Sequence, residues 1–178
     1  MGKGKHFCKA TLLLLAIIVF KQATAQDAES NVQKLQLNIP EATKPVASYV
    51  NAVRVGNLLY LSGKGPVKPD GSFITGKLGK DISTDSGYYA ATLTAIAHLS
   101  VLRSELGSLN KVKRIVKVLG MVNCTDDFKD QPKVINGYSD LMIAVFGEKG
   151  KHARSAIGVN ALPFNTCVEV ETIVEVED

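Results

Sequence analysis

One arginine and one glutamate lie near the ends of two successive strand-like segments in the last quarter of the chain. Arg154 lies in segment 152–160, Glu169 lies in segment 167–176, and a turn containing Pro163 joins the two segments. Arginine is a rigid, permanently charged fork that matches a carboxylate in bidentate geometry, and glutamate can activate water or transfer a proton. If both side chains face one cavity, they suit a small carboxylate substrate, with binding and chemistry assigned to different residues.

These charged residues also have structural interpretations. Arg154 could form an ion pair with a glutamate across the sheet, and such a surface pair contributes little to stability. Glu171, Glu175 and Glu177 alternate along the last segment, and we interpret them as solvated or interface carboxylates. Ser62 has no base at a recognisable spacing that would make it a nucleophile. A serine hydrolase is therefore disfavoured.

Residues 1–25 have the pattern of a secretory signal. Three lysines precede the apolar run 10–20, and the small residues 23–25 form a cleavage pattern. We expect cleavage after Ala25 and a periplasmic or secreted protein. An uncleaved membrane anchor is the competing interpretation, but 11 apolar residues fall short of the ~20 that span a bilayer as a helix.

The basic charge of the chain belongs to this first segment. The full chain carries 21 basic and 17 acidic residues, and residues 1–25 contain four lysines and no acidic residue, so 17 residues of each sign remain. A neutral domain gives no electrostatic basis for binding nucleic acid or an anionic membrane. We expect neither partner for the mature protein, and any anion site must be local.

Helical and strand periodicities along the rest of the chain predict an α+β domain. Gly56-Asn57 joins two short apolar runs and is a two-residue hairpin signal. Ser83 supplies an N-cap oxygen and Gly107 a C-terminal stop around a segment with a broad apolar stripe. The predicted strands are 49–55, 58–62, 112–122, 154–160 and 167–176, and the predicted helices run from 83 to 107 and from 134 to 147.

This order of elements predicts a mixed sheet with two helices packed on one face. The last strand alternates apolar and acidic residues, so one face of the sheet is apolar. The other face needs a cover, and closed oligomers are the ordinary way to supply it. Residues 26–44 are polar and predict a tail or an edge segment, whereas residues 45–178 predict the domain itself.

The cysteines and histidines give little sign of chemistry. Cys124 and Cys167 could form a bridge in an exported protein. Two buried free thiols are the favoured interpretation, because cysteine often behaves as a small core hydrophobe. His98 lies within the first predicted helix, and we interpret it as a surface or hydrogen-bonded core histidine rather than a catalytic one. No cluster of cysteine and histidine predicts a metal site.

Three blocks of the sequence point to one known family. They are SYVNAVRVGNLLYLSG at 48–63, QPKVING at 131–137, and the segment 153–171, which begins with ARS. In their order and nearly matching spacing, over roughly residues 45–176, they resemble the RidA (YjgF-type) reactive-intermediate deaminase family.

The resemblance implies a chorismate-mutase-like fold, a homotrimer whose sheets form a central barrel, and three clefts at the subunit interfaces. Enzymes of this family hydrolyse imines and enamines derived from amino acids, such as 2-aminoacrylate, to 2-oxo acids and ammonia without a cofactor. We therefore expect a small imino or oxo acid as the ligand. A non-enzymatic trimer that binds small carboxylates or partner proteins in the same clefts is the alternative, and the neutral charge disfavours a nuclease.

The resemblance also implies roles for single residues. Arg154 matches the arginine that holds the substrate carboxylate, and Glu169 matches the glutamate that positions or activates water. Tyr49 and Ser62 match an aromatic and a hydroxyl residue that line the cleft. Asn136 matches a pocket-side asparagine on the second helix.

Two positions depart from the pattern of many family members. Ala156 stands where many members have a cysteine, two residues after Arg154. This change removes a thiol from the cleft but keeps the backbone carbonyl available to a substrate. Lys64 stands where many members have a glutamine, and it would add a second cation that changes substrate preference.

Overall fold

The computed structural model describes residues 27–45 and 47–177. The predicted signal peptide and its cleavage site lie outside these described residues. Among the helices of the described ranges, none is long and apolar enough to cross a membrane.

Five strands form one mixed sheet. Their bounds are β1 Ala52–Val55, β2 Leu58–Lys64, β3 Val112–Asn123, β4 Ala153–Val159 and β5 Val168–Val176. The strand order is β1-β2-β5-β3-β4, in which β3 and β4 are parallel and the other pairs are antiparallel. The chain returns to β4 through a helix because parallel strands need a crossover connection. Because β4 is last in the strand order, it forms one edge of the sheet.

The hairpin at the start of the sheet follows from its turn residues. Val55 pairs with Leu58, so Gly56-Asn57 forms the two-residue connection that the sequence predicts. Gly56 has a φ of 59°, a left-handed conformation that glycine adopts without a steric penalty. Near Phe73 the chain forms only isolated bridges, in which Val67 pairs with Phe73 and Thr75 with Thr166.

Three α-helices accompany the sheet within the described ranges. They are α1 Ala28–Lys34, α2 Thr84–Leu106 and α3 Gln131–Phe146. The Ser83 hydroxyl accepts a hydrogen bond from the Ser86 amide at the start of α2, and Gly107 ends that helix with a left-handed φ of 77°. The helices α2 and α3 pack together and cover one face of the sheet. The predicted mixed sheet with two helices on one face is confirmed.

The helix α1 was not predicted, because residues 26–44 were interpreted as a tail or an edge segment. The structure contradicts a tail at residues 28–34, since Ala28 and Val32 are buried in the core. The Asn31 side chain donates a hydrogen bond to the Val145 carbonyl at 2.9 Å. A helix of seven residues buries only two apolar side chains, which leaves too weak a periodicity for recognition from sequence.

The sheet face opposite the helices carries several large apolar side chains that are exposed. Val53 is 53% exposed, and Tyr60 and Ile157 are each 44% exposed. Lys117 and Glu171 line a groove on the same face, so charged side chains lie among the apolar ones. Several large exposed apolar side chains on one face are typical of an interaction face. The expectation that this face needs a cover therefore rests on exposed side chains as well as on the sequence pattern.

Both cysteines of the described part of the chain are buried free thiols. The favoured interpretation of Cys124 and Cys167 is therefore confirmed. Burial raises the pKa of the Cys167 thiol to about 11, so this thiol is unreactive at neutral pH because the thiolate is the nucleophile.

His98 is a hydrogen-bonded core histidine, which was one of the two structural roles that the sequence suggested; the other was a surface histidine. Its side chain is fully buried, and its Nε2 lies 3.1 Å from the Ser62 carbonyl while its Nδ1 lies 2.8 Å from the Tyr138 hydroxyl. Because a carbonyl only accepts, Nε2 carries the proton and Nδ1 accepts from Tyr138. Burial, opposed by the hydrogen bond to the Ser62 carbonyl and assisted by the charge of Lys64, lowers the pKa of His98 to about 4.

This histidine should make the protein less stable in acid. In the unfolded state His98 binds a proton below pH 6.5, the ordinary pKa of histidine. In the folded state it stays neutral down to about pH 4. The free energy of unfolding should then fall with decreasing pH by up to about 3 kcal/mol from this residue. Urea unfolding of the wild type and of His98→Gln, at one protein concentration and several pH values, measures the difference. Equal pH slopes for the two proteins would contradict the expectation.

Candidate functional site

Arg154 is held against α3 by neutral groups. It lies on β4 opposite the fully buried Val118 of β3, so its side chain points to the face that the helices cover. Its Nη1 donates hydrogen bonds to Asn136 Oδ1 at 2.9 Å and to Ser139 Oγ at 3.0 Å. Its Nη2 lies 3.4 Å from the Pro132 carbonyl. We call Arg154, Asn136 and Ser139 the arginine site.

The charge of Arg154 is not neutralised within the described part of the chain. No carboxylate of the described residues lies within 4.0 Å of it, which contradicts the structural interpretation as an ion pair across the sheet. A guanidinium has five N–H donors, and three are occupied by the contacts above. The two remaining donors match the number that a carboxylate accepts in a bidentate pair.

A small cavity of about 200 Å³ adjoins the arginine site. It is lined by Ser139, Ile143, Lys151, His152 and Arg154. Sequence reasoning missed both Ser139 and His152 as members of this region. The signals available were the three-residue spacing from Asn136 to Ser139 on one helix face and the position of His152 two residues before Arg154.

Ala156 lies beside the arginine site but packs into the protein. It pairs with Gly120 of β3, and its half-buried methyl group contacts the hydrophobic core. A Cβ at Gly120 would collide with Ile135, so α3 approaches the sheet closely here. The side chain at position 156 therefore serves packing in the single chain.

Glu169 forms a second candidate site at another place in the fold. It lies on β5 between Val168 and Val170, which are both fully buried, and its side chain points to the opposite sheet face. Burial raises the pKa of the half-buried Glu169 carboxyl, and the negative charge of Glu171 raises it further. A raised pKa brings a carboxylate closer to the neutral range in which general bases work.

An irregularity in β2 makes room for this carboxylate. The pairing of β2 with β5 shifts register between Leu61 and Lys64. A Cβ atom on Gly63 would overlap the Glu169 carboxylate, so the glycine permits the close approach. The Ser62 carbonyl, which lies within this irregular stretch, is hydrogen bonded to His98. We call Glu169, Gly63 and Ser62 the glutamate site.

Tyr49 and Ser62 belong to the neighbourhood of the glutamate site. The Ser62 hydroxyl donates to the Val50 carbonyl at 2.7 Å, and the Ser62 amide donates to the Asn51 carbonyl. These bonds fix the segment that carries Tyr49, whose side chain is 47% exposed. The structure places Ser62 beside the segment that carries Tyr49, and it does not bring either residue to Arg154.

Lys64 is held by one neutral acceptor. Its Nζ donates to Asn51 Oδ1 at 2.5 Å, and the side chain is half-buried. Burial lowers the pKa of Lys64. The lysine therefore ties β2 to the segment before β1.

Arg154 and Glu169 do not share a cavity within one chain. Arg154 pairs with Val118, whereas Glu169 pairs with Met121. These β3 positions are three residues apart, and an odd spacing places two side chains on opposite faces of a sheet. A groove of about 450 Å³ on the exposed face, lined by Tyr60, Lys117 and Glu171 among others, includes neither residue. The two sites can meet only if another copy of the chain supplies one of them.

Replacing Gly63 with alanine should test the glutamate site directly. The added Cβ meets the end of the flexible Glu169 side chain rather than backbone, so the carboxylate should move while the fold stays intact. We expect the melting temperature to change by only a few degrees, since a shift of about 1 kcal/mol corresponds to roughly 2–8 °C. Any activity that needs Glu169 should fall by about 10²-fold, because small displacements of catalytic groups are costly. Gly65→Ala is the matched control, because its φ is not left-handed and the added Cβ makes only ordinary van der Waals contacts with Thr166 and Phe73.

The sequence also matches the model of a known protein family. The profile of the family described as "YjgF/chorismate mutase-like, putative endoribonuclease" matches residues 29–176. The chain belongs to the YjgF/RidA family. The predicted family membership and the predicted chorismate-mutase-like fold are thereby confirmed.

Relatives of this YjgF/RidA protein span almost the same domain. Protein TCP17 of Trypanosoma cruzi is 41% identical over 150 residues, which are 84% of this chain and 94% of that protein. A 2-iminobutanoate/2-iminopropanoate deaminase of Dermatophagoides farinae is 30% identical over 142 residues, which are 79% of this chain and 95% of that protein. The crystal structure of Atu1372 from Agrobacterium tumefaciens, a protein of unknown function, has a TM-score of 0.78 and 39% identity, with 84% of this chain and 92% of that chain covered.

No group of three or more metal-binding side chains is assembled within the described ranges.

Proposed function

We propose that this YjgF/RidA protein hydrolyses small imino and enamino acids of the 2-aminoacrylate type to 2-oxo acids and ammonia. The observation that carries the proposal is the Arg154 guanidinium, which is held by neutral acceptors and keeps two N–H donors for a carboxylate. The similarity to a 2-iminobutanoate/2-iminopropanoate deaminase supports the choice of reaction.

The proposed reaction needs little from the protein beyond orientation and one proton carrier. The carbon of a C=N bond is electrophilic, and the carboxylate next to it would bind Arg154. Glu169 would accept a proton from water as the water oxygen bonds to that carbon, which gives a carbinolamine. For the protonated imine, Glu169 then passes this proton to the nitrogen, the C–N bond breaks and ammonia leaves, and the hydroxyl proton of the carbinolamine passes to Glu169 as the C=O bond forms. Positioning and general base catalysis can supply much of such an acceleration.

The proposal includes a homotrimer, the assembly that the family resemblance implies, and two sites on opposite faces of one sheet need a second copy of the chain to form one cleft. The arginine site lies at the β4 edge of the sheet, where another chain has access. The glutamate site lies on the face that carries exposed apolar side chains. Packing this face against a neighbouring copy would bury apolar surface and could bring its Glu169 to the Arg154 of the first copy. Each cleft would then contain residues of two subunits.

An assay with a freshly generated imine tests the proposal. An amino-acid oxidase, with catalase present, forms 2-iminopropanoate from alanine, and semicarbazide traps the imine that has not been hydrolysed. Added protein should lower the rate of semicarbazone formation in proportion to its concentration, and pyruvate should form in the amount by which the semicarbazone falls, since both routes release ammonia. Semicarbazone formation at the buffer rate, at micromolar protein, would contradict the proposal.

A non-enzymatic trimer that binds small carboxylates is the second candidate. The observation that favours it is the separation of the two sites, since the arginine site alone can bind a carboxylate without any base nearby in the same chain. Such a protein would bind 2-oxobutanoate but would leave the rate of imine trapping unchanged.

A further inference from the structure

Two side chains beside the arginine site form a hydrogen-bonded series that the proposed reaction does not use. The His152 Nδ1 lies 2.6 Å from the Gly150 carbonyl, and the His152 Nε2 lies 3.0 Å from Ser139 Oγ. Ser139 Oγ in turn accepts the hydrogen bond from Arg154 Nη1 at 3.0 Å. We call Gly150, His152 and Ser139 the serine–histidine relay.

The direction of each hydrogen bond in the relay follows from its first member. The Gly150 carbonyl can only accept, so the proton of a neutral His152 ring is on Nδ1. The Nε2 atom then has a lone pair and accepts the hydroxyl proton of Ser139. With its proton committed to His152, the Ser139 oxygen presents its lone pairs to Arg154. The relay therefore makes Ser139 an acceptor for the guanidinium.

The surroundings of His152 favour the neutral ring that the relay requires. Burial lowers the pKa of His152 below its ordinary value; the hydrogen bond to the Gly150 carbonyl opposes this shift, and the positive charge of Arg154 adds to it. Lys151 lines the same cavity, and its Nζ pairs with Glu148 at 2.7 Å. The α3 residues at this cavity, Ser139 and Ile143, are uncharged. At neutral pH the ring is therefore uncharged.

We infer that Ser139 and His152 are positioning residues that fix the Arg154 guanidinium with its two free N–H donors directed to the ligand carboxylate. Nη1 has two hydrogen atoms, and the relay and Asn136 accept one each. With both acceptors present, the guanidinium plane cannot turn about its last bonds without losing a charge-assisted hydrogen bond. The nature of the ligand, a 2-oxo or 2-imino acid, rests on the proposed function.

The relay should affect substrate binding more than the chemical step. Arg154 would bind the carboxylate in the ground state and in the transition state alike, and loss of such uniform binding raises KM while kcat changes little. Ser139→Ala and His152→Leu should each weaken 2-oxobutanoate binding by about ten-fold. His152→Gln keeps an acceptor near the position of Nε2 and should restore most of the affinity.

A serine on another helix provides the matched control. Ser100 of α2 is buried to a similar degree, with 5% exposed against 8% for Ser139. Its hydroxyl donates to the Ile96 carbonyl within its own helix and takes no part in the arginine site. Ser100→Ala should therefore leave 2-oxobutanoate affinity unchanged. This control separates the loss of a helical serine from the loss of the relay.

Nuclear magnetic resonance of the guanidinium nitrogens provides a readout that needs no ligand. In the wild type, the fixed Arg154 should give separate Nη1 and Nη2 signals, because rotation about the Nε–Cζ bond is hindered. Ser139→Ala and His152→Leu should average these two signals, whereas Ser100→Ala should not. A purely structural role for the relay would leave the rotation of this one bond unaffected in folded variants.

The outcomes separate the relay from the proposed function. Unchanged guanidinium signals and unchanged 2-oxobutanoate affinity in Ser139→Ala would overturn the relay, whatever the deaminase assay gives. Averaged guanidinium signals in a protein that hydrolyses no imine would support the relay and reject the deaminase. A ten-fold loss in Ser139→Ala that His152→Leu reproduces and His152→Gln reverses would support the relay as drawn.

Discussion

Arg154→Ala should lower kcat/KM for imine hydrolysis by about 10²–10³-fold. The change removes a bidentate partner of the substrate carboxylate, and truncation of such a charged pair typically costs 2–5 kcal/mol. It also frees Asn136 and Ser139, which accept hydrogen bonds from Nη1 in the wild type. Direct titration with 2-oxobutanoate should show the same loss as the kinetic assay, because binding of the carboxylate is what the arginine provides.

Two variants serve as controls for Arg154→Ala: one removes an arginine elsewhere in the fold, and the other keeps a positive charge at position 154. Arg103→Ala removes an arginine that pairs with Glu29 at 2.6 Å between α1 and α2. This variant should lose some stability and keep the affinity for 2-oxobutanoate. Arg154→Lys keeps the charge but not the fork, so it should recover only part of the binding. Wild-type kcat/KM in Arg154→Ala, at unchanged oligomer mass, would remove Arg154 from the proposed site.

Local signals in the sequence predicted most of the elements that position the two sites. The bounds of α2 follow from the cap at Ser83 and the left-handed glycine at 107, both of which the structure reproduces. The hairpin follows from Gly56-Asn57. Each of these signals acts within a few residues, so chemistry and spacing in the sequence are sufficient to recognise them.

The sheet faces on which Arg154 and Glu169 lie could not be predicted from such local signals. The strands β4 and β5 are consecutive in the chain, but β3 lies between them in the sheet. The face on which each residue lies depends on its register with β3, which is a long-range property. The buried valines of β5 give a clear alternation, whereas β4 has no clear alternation of buried and exposed residues. The sequence therefore does not decide whether Arg154 and Glu169 of one chain face the same side of the sheet, and the register places them on opposite faces.

The serine–histidine relay was missed for a related reason. Ser139 and His152 are 13 residues apart and meet only because α3 and the start of β4 are adjacent. A single serine in a helix and a single histidine in a loop each have many ordinary roles. Only the three distances from Gly150 to Arg154 reveal that they act on the arginine.

Glu169→Gln should reduce kcat by about 10²–10⁴-fold and leave KM nearly unchanged. Glutamine has almost the same shape and fits beside Gly63, but it cannot accept a proton from water. General base catalysis by a positioned side chain contributes an acceleration of about this size. The rate of imine hydrolysis at saturating substrate measures the loss. A variant with wild-type kcat would show that water attacks without help from Glu169.

The pH dependence of the rate tests Glu169 as a general base more specifically than a loss of activity does. A base must be ionised, so the wild-type rate should fall as the pH drops through the pKa of Glu169, which burial and then Glu171 raise above the ordinary glutamate value. Glu171→Gln removes the second of these causes, so the acid limb should move to lower pH while the plateau rate is retained. The neighbouring carboxylate thus serves as a matched variant on the same strand and the same face. An acid limb that stays in place in Glu171→Gln would mean that another group controls the rate.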